Sequence, residues 1–384
     1  MAAPKLRFKE FDGDWSAQKY KDALTIKYGK DHKLLEDGEI PVYGTGGVMR
    51  YVNQYLYDGE SILIGRKGTI DQPKYVNEKF WTVDTLFYSE IKQNIYPLFI
   101  YQHALQVNWL GLNEATGVPS LNTTSINNVD IYLPSKEEQT KIASFLCAVD
   151  EKISQLTQKH ALLTQYKQGM MQKLFSQQIR FKADDGSEFG EWGKAKVGNI
   201  TETIFGYPFD SKEMVEDNNG IPLMRGINIG ECHIRHSFEL DRFFLKDTSK
   251  LEKYFVRVND IVLSMDGSKV GRNSAFVTEK DAGSLLVQRV CILREKENTN
   301  IQYVYQWIIS KEFHRYVDQV KTSSGIPHIS GKQIQDYEIS YPCLEEQTKI
   351  ANFLSAIDQK IEVVTQQIEQ AKTWKKGLLQ QMFV

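Results

Sequence analysis

Apolar residues recur at alternating spacings of four and three in two long stretches of the chain. Such a heptad pattern is typical of helices that pair as a coiled coil. The heptad positions of the first stretch are Ile142, Leu146, Val149, Ile153, Leu156, His160, Leu163, Lys167, Met170 and Leu174. Those of the second are Ile350, Leu354, Ile357, Ile361, Val364, Ile368, Ala371, Lys375, Leu378 and Met382. The pattern predicts helices over 134–176 and 342–384, each roughly 60 Å long at about 1.5 Å per residue.

The two helical stretches are copies of each other. They start at Pro134 and Pro342, 208 residues apart, and about 20 of their 42 aligned positions are identical. Two matching heptad runs of this length favour pairing with each other. Ser135 and Glu138 predict a capping box at the start of the first helix, whereas Cys343 replaces the serine in the second.

Lys167 and Lys375 occupy equivalent heptad positions in the two stretches. A polar residue at such a position can fix the register of a coiled coil. A long lysine side chain can also extend past the apolar contact into water, and we favour this interpretation. The sequence leaves both interpretations open.

The repeat extends into the residues that precede each helix. The matching segments include an Arg-Phe pair ahead of a tryptophan and a Gly-x-Pro turn just before the helix, and they are Arg7-Phe8 with Trp15, Arg180-Phe181 with Trp192, Gly117-Val118-Pro119 and Gly325-Ile326-Pro327. This order predicts two globular domains over 1–133 and 177–341, each followed by its long helix.

Each globular domain mixes short strands with short helices, which predicts a mixed α/β (α+β) fold whose strand order the sequence does not define. Candidate strands are Ser61–Gly65, Trp81–Tyr88, Asp260–Ser264 and Leu285–Leu293. Candidate helices are Pro97–Trp109 and Ile301–Asp318.

Composition and charge narrow the functional class. The chain has 384 residues, of which 41% are hydrophobic and 25% charged, with a net charge of −2. No apolar run is long enough to span a membrane, and the first residues do not resemble a signal peptide. The four cysteines lack paired spacing, which suits free thiols in the cytoplasm. Because the net charge is close to zero, any contacts to nucleic acid must come from local cationic clusters.

Sequence signatures of catalysis are weak, so we expect a non-catalytic protein without a metal site. The chain contains no nucleotide-binding P-loop and no amino-methyltransferase motif. The glycines that follow Tyr43 fit a tight turn better than a dinucleotide site. Asp84 and Glu90 are more easily explained as exposed charges than as a nuclease site, and the group around Cys232 lacks a fourth zinc ligand.

Binding signals are stronger, because similar polar loops recur at aligned places in both halves. Arginine and asparagine can each bond two acceptors or donors on a base edge, while lysine and serine suit phosphates. The candidate DNA-binding residues of the first half are Tyr43, Thr45, Arg66, Lys67, Thr69, Thr116, Ser120 and Asn122. Those of the second are Arg225, Asn228, Ser268, Lys269, Arg272, Asn273, Ser323, Ser324 and His328. A duplicated fold also repeats its turns, so the same loops are compatible with solvated turns.

The whole chain resembles the specificity (S) subunit of a type I restriction–modification system. The resemblance rests on the twin Glu-Glu-Gln-Thr-Lys-Ile-Ala helix openings, the Phe-Leu-x-Ala-[Val/Ile]-Asp-x-Lys-Ile that follows them, and the closing Lys-x-Gly-x-x-Gln. It implies two target-recognition domains that each read half of a split double-stranded DNA target. It also implies an antiparallel coiled coil that sets the spacing and docks two methyltransferase (M) subunits.

The same resemblance implies further partners and places all cofactors outside this chain. Restriction motor-nuclease (R) subunits join for cleavage. S-adenosylmethionine is expected in the methyltransferase, and ATP and Mg²⁺ in the motor-nuclease. Two alternatives stay open at this point. One is a coiled-coil scaffold with protein-binding domains, and the other is a stand-alone nuclease with an unrecognised site.

Overall fold

The structure is a computed structural model that describes residues 3–322 and 325–384. The chain forms two compact units, one of Met1–His160 with Val363–Val384 and one of Ala161–Glu362. Each unit therefore contains one globular domain together with part of both long helices.

In the described residues, the globular part of the first unit contains eight strands, three short α-helices and one 3₁₀ helix at Leu110–Leu112. The strands are β1 (Ser16–Lys19), β2 (Leu24–Tyr28), β3 (Asp37–Gly44), β4 (Gly47–Val52), β5 (Tyr57–Gly65), β6 (Lys74–Thr82), β7 (Leu86–Ile91) and β8 (Asp130–Leu133). The helices are α1 (Tyr20–Ala23), α2 (Pro97–Ala104) and α3 (Thr123–Asn127). Six strands form one sheet in the order β2-β7-β5-β6-β3-β4, and β1 pairs with β8. All pairings in the larger sheet are antiparallel except β3 with β6.

The long helices are α4 (Lys136–Phe175) and α9 (Leu344–Met382). The two long helices that the heptad pattern predicted are present. In the first unit, Leu146 near the start of α4 shares a buried cluster with Leu378 near the end of α9. In the second unit, Leu174 near the end of α4 shares one with Leu354 near the start of α9. Within each unit the start of one helix meets the end of the other, which is the predicted antiparallel pairing.

The second unit repeats this plan with smaller sheets. Its strands are β9 (Gly193–Lys196), β10 (Thr201–Phe205), β11 (Ile221–Met224), β12 (Phe243–Phe244), β13 (Ile261–Ser264), β14 (Ser274–Phe276), β15 (Leu285–Leu286), β16 (Val290–Glu295) and β17 (Glu338–Tyr341). Its short helices are α5 (Val197–Ile200), α6 (Ile301–Ile308), α7 (Lys311–Val320) and α8 (Gly331–Asp336). The sheet orders are β10-β16-β13-β14, β12-β11-β15 and β17-β9.

Three predicted elements are interrupted. The candidate strand Trp81–Tyr88 is wrong as one strand, because a turn closed by Leu86 N donating to Val83 O separates β6 from β7. The candidate strand Leu285–Leu293 is split in the same way, with Val290 N donating to Val287 O. The candidate helix Ile301–Asp318 breaks at Ser310, whose hydroxyl caps α7 by accepting from Phe313 N.

Both interrupting turns are held against a glycine. A Cβ added at Gly29 would lie 2.0 Å from Val83 O, and one added at Gly206 would lie 2.0 Å from Val287 O. Only glycine permits this close approach of two backbones. The two turns are thus the same structural feature in the two units.

The first residues of each long helix are tied to their own globular domain. Arg7 donates Nε to Glu138 Oε1 at 2.7 Å and Nη2 to Glu138 Oε2 at 2.8 Å. Arg180 pairs with Glu346 in the same two-point manner, at 3.0 and 2.7 Å. Both glutamates are buried. Ser135 Oγ accepts from Glu138 N as predicted for a cap, but the Glu138 carboxylate is used to bind arginine.

Lys167 and Lys375 do not extend into water. Lys375 Nζ lies 2.7 Å from a carboxylate oxygen of Asp150, and Lys167 Nζ lies 2.6 Å from one of Asp358. The lysine side chains are only 14% and 10% exposed. The favoured interpretation was therefore wrong, and the lysines make polar contacts that bridge α4 and α9 inside each unit.

Candidate nucleic-acid interface

In the first unit, the loop after β5 and the loop before α3 lie side by side. Gly68 N donates to Pro119 O at 2.8 Å, and Leu121 N donates to Arg66 O at 2.9 Å. Lys67 and Ser120 form an isolated antiparallel bridge between them. The fold therefore brings together two loops that the sequence only suggested were related.

Exposed cations occupy this pair of loops. The Arg66 guanidinium donates to Asp84 O at 3.0 Å and lies 5.4 Å from the centre of the Tyr28 ring. Among residues 3–322 and 325–384, neither Arg66 nor Lys67 has a carboxylate partner. Thr69 and Thr116 are also exposed. The surface offers two unneutralised positive charges beside hydroxyl groups.

Other first-unit candidates serve the fold. The Tyr43 hydroxyl donates to Glu78 at 2.5 Å, and burial together with that carboxylate raises the pKa of Tyr43 to about 12. Thr45 lies in the turn between β3 and β4, and its carbonyl accepts from Lys74 at 3.4 Å. Asn122 caps α3 by accepting from Ser125 N and donates to Glu114. These contacts shape the loops more than they present free groups.

The second unit builds the same loop pair with different side chains. Gly267 N donates to Pro327 O at 3.0 Å, and Ile329 N donates to Met265 O at 2.9 Å. Asp266 and His328 form the isolated bridge. By these contacts Met265 and Asp266 stand where the first unit has Arg66 and Lys67.

The remaining loop candidates of the second unit have varied surroundings. Ser323 and Ser324 lie outside the described residues. His328 Nδ1 lies 2.9 Å from the Thr322 hydroxyl. Ser268 is exposed, and Asn273 contributes its carbonyl to Ser264 N.

Lys269 and Arg272 are both neutralised by carboxylates. Lys269 Nζ lies 2.8 Å from Glu231, and Arg272 forms a two-point contact with Asp318 at 2.6 and 3.3 Å. Arg272 and Lys321 together hold the pKa of Asp318 well below its ordinary value. Arg272 follows Gly267 by five residues, so it does not occupy the position equivalent to Arg66.

A cavity of about 420 Å³ opens beside the second loop pair. Its lining includes the predicted residues Arg225, Ser268, Lys269 and Asn273. The lining residues that were not predicted from the sequence include Arg235, Asp266, Gln288 and Arg289. Gln288 and Arg289 were missed because the turn that carries them falls inside a stretch predicted as one strand.

Asn228 follows the lining residues Gly226 and Ile227 in the chain and is buried, with 2% of its surface exposed. Its amide nitrogen donates to Arg235 O at 3.2 Å and to Asp241 at 3.0 Å, and its amide oxygen accepts from Arg225 N. Both ends of the amide are hydrogen-bonded within the unit, so Asn228 ties together the backbone around Arg225 and Arg235.

No helix of the described part of the chain is long and apolar enough to cross a membrane. Within residues 3–322 and 325–384, no group of three histidine, cysteine or acidic side chains is placed to hold a metal ion.

Two globular domains, each followed by a long helix, are the arrangement of a class of DNA-specificity proteins. Comparison with known families identifies this class. The sequence model described as "Type I restriction modification DNA specificity domain" matches residues 13–165 and 191–373. The chain belongs to this family, as the resemblance predicted. Membership makes it a non-catalytic specificity subunit with two recognition domains in tandem.

Individual relatives agree with this assignment. The chain is 26% identical to the type I restriction enzyme MjaVIII specificity subunit of Methanocaldococcus jannaschii, over 97% of this chain and 94% of the relative. It is 20% identical to the EcoDI specificity subunit of Escherichia coli, over 96% and 86%.

Solved structures share the fold. The S subunit of a type I restriction–modification system from M. genitalium superimposes with a TM-score of 0.68 at 15% identity, covering 100% of this chain and 99% of that one. A chain from a study of complex assembly and conformational transition of the type I R-M system gives 0.53 at 14% identity, covering 95% and 96%.

Proposed function

We propose that each unit reads one half of a bipartite double-stranded DNA target through its pair of adjacent loops. The observation that carries this proposal is the repeated construction of the loops. The contacts of Gly68 with Pro119 and of Gly267 with Pro327 build the same surface twice on unlike side chains. Two similar surfaces with different chemistry suit two different half-sites.

The members of the predicted set that are exposed or partly exposed, and whose side chains are not needed to shape the loops, are the proposed contacts with DNA. In the first unit these are Arg66, Lys67, Thr69 and Thr116, with Ser120 supporting the loop. In the second unit, the proposed phosphate contacts are Ser268, Lys269 and Arg272. The proposed base contacts are His328 and the cavity residues Arg225 and Asn273. Tyr43, Thr45, Asn122 and Asn228 position these groups.

The net charge of −2 gives no general attraction to DNA. We therefore propose that methyltransferase subunits supply much of the salt-dependent affinity. Two such subunits dock on the pair formed by α4 and α9, and motor-nuclease subunits join for cleavage. S-adenosylmethionine is held by the methyltransferase, and ATP and Mg²⁺ by the motor-nuclease, in the cytoplasm.

Methylation mapping tests the proposal. Genomic DNA is sequenced for N6-methyladenine in cells with and without this gene. A bipartite methylated motif should be present only with the gene. Purified chain should transfer no methyl group alone and should direct transfer to that motif when its methyltransferase is added. Methylation that is unchanged without the gene, or turnover by the chain alone, would contradict the proposal.

A further inference from the structure

The cavity of the second unit brings together three arginines without acidic partners. Arg225, Arg235 and Arg289 all line it, and none has a carboxylate partner among residues 3–322 and 325–384. Burial, with a smaller effect of the nearby Arg242, lowers the pKa of Arg225. Hydrogen bonds from a ligand's acceptor groups stabilise cations that lie close together in this way.

Arg289 is held in an unusual backbone conformation. Its φ is +68°, in the left-handed region that non-glycine residues rarely adopt. Its carbonyl accepts from Met265 N at 2.8 Å, which anchors the turn to the loop that carries Asp266. In the first unit the same hydrogen bond joins Arg66 N to Thr85 O. Backbone strain of this type is common at functional sites.

A carboxylate shares the cavity with these arginines. Asp266 lines it, and no hydrogen bond or ion pair to its carboxylate exists in the described part of the chain. An unpaired carboxylate repels phosphate groups, so it does not suit a surface that binds only phosphate. A base edge in the major groove presents both acceptors, which suit arginine, and amino groups of cytosine or adenine, which suit aspartate.

We propose that Asp266 and Arg289 are base-reading residues of the second unit, Asp266 accepting from an exocyclic amino group and Arg289 donating to guanine O6 and N7. The inference rests on the proposed function and specifies its chemistry. The equivalent positions of the first unit hold Lys67 and Thr85, so the two units present different charge patterns at the same place. This difference lets them prefer unlike half-sites.

Competition binding tests the inference, with the full chain in complex with its methyltransferase. The competitors are the mapped target duplex and variants that change one base pair at a time. Asp266→Ala and Arg289→Ala should each lose preference at one or two positions of the same half-site, by about 5- to 150-fold per position. Arg66→Ala should affect only the other half-site.

Matched controls and a second variant keep the test decisive. Asp247→Asn and Lys280→Ala remove exposed charges of the second unit outside the cavity and should leave base preference unchanged. Arg289→Gly removes the guanidinium while suiting a φ of +68°, so it should lose base preference without losing thermal stability.

Three outcomes are distinguishable. Preserved base preference in Asp266→Ala and Arg289→Gly would overturn the inference. An equal loss of affinity for every duplex, with a smaller salt slope, would also overturn it, because that behaviour belongs to phosphate contacts. A wild-type complex without any base preference would instead overturn the proposed function.

Discussion

Asp150 of α4 and Lys375 of α9 form an ion pair of 2.7 Å within the first unit. Asp150 also accepts from the Gln102 amide at 2.9 Å, so one carboxylate joins the globular domain to both helices. Asp358, Lys167 and Gln306 repeat the arrangement in the second unit, at 2.6 and 3.0 Å. We call these the first and second Lys–Asp–Gln clusters.

The first cluster should contribute measurably to stability. Asp150→Ala leaves the mostly buried Lys375 without its partner, and we expect the free energy of unfolding to fall by about 1–3 kcal/mol, less than for a fully buried pair because Asp150 is partly exposed. Adding Lys375→Met removes the uncompensated charge and should recover much of the loss. Denaturant unfolding measures both variants.

The second cluster supplies the matched control for that experiment. Asp358→Ala and Lys167→Met should give the same pattern, since the geometry is repeated. If Asp150→Ala unfolds at the parental denaturant concentration, the ion pair specifies helix register without adding stability.

Acid should destabilise the first unit through His103. Its Nδ1 lies 2.9 Å from the Tyr20 hydroxyl oxygen, with which it forms a hydrogen bond. Burial lowers the pKa of His103 to about 4. The unfolded chain binds a proton near pH 6.5 while the folded chain does not, so stability is full above that pH and is lost as the pH falls towards 4. Between pH 7 and 5 we expect a loss of about 1–2 kcal/mol from this group.

His103→Gln isolates this effect. The variant has no ring to protonate, so its unfolding free energy should fall less than that of the parent over the same pH range. Chemical denaturation at pH 7 and pH 5 gives both slopes. Parallel slopes for the two proteins would show that His103 is not the group responsible.

Arg66 and Arg272 should differ in their importance for DNA binding. Arg66→Ala removes an unneutralised charge and should weaken duplex binding by about 1–3 kcal/mol if the guanidinium reads a base. A phosphate contact would instead lower affinity evenly and reduce the salt slope by about one. Arg272→Ala should cost less, because Asp318 already neutralises that guanidinium.

Asp318→Asn provides the complementary change. It releases the charge of Arg272 and Lys321 and should strengthen non-specific binding at low salt. Titrations at two salt concentrations measure all three variants. Equal losses for Arg66→Ala and Arg272→Ala would show that ion pairing within the protein does not limit DNA contact.

The length of the helix pair should set the gap between the half-sites. One heptad inserted after His160 and one after Glu362 keeps the apolar register and adds about 10 Å. That length corresponds to roughly three base pairs and also turns the second half-site by about 100° around the duplex. We expect the same half-sites with a gap longer by about one to three base pairs and weaker binding.

Methylation mapping of the insertion variant with its methyltransferase reads the gap directly. A variant with the heptad inserted only into α4 is the control, since its helices no longer match in length. An unchanged gap with full activity in the double insertion would mean that another feature sets the spacing.

Much of the architecture was determined by the sequence alone, because it depends on local periodicity. The 4-3 spacing from Ile142 to Leu174 and its copy predicted both long helices, and the duplication predicted two recognition domains and the family. Repeated helix-opening residues such as Glu138 and Glu346 were visible as a pattern, although their arginine partners were not.

Only the tertiary structure decided which polar side chains are used within the fold and which keep unpaired polar groups. Asn228 and Asn122 are of a residue type that often reads DNA bases. In the fold, however, the buried amide of Asn228 binds Asp241, and the amide of Asn122 caps α3. Asp266 and Arg289 were missed, because their placement in one cavity depends on a turn that interrupts an apolar run and on contacts between distant loops. Periodicity is a local property of the chain and can be read from the sequence. The neutralisation of Arg272 by Asp318 and the exposure of Arg66 depend on contacts between distant residues, which only folding creates.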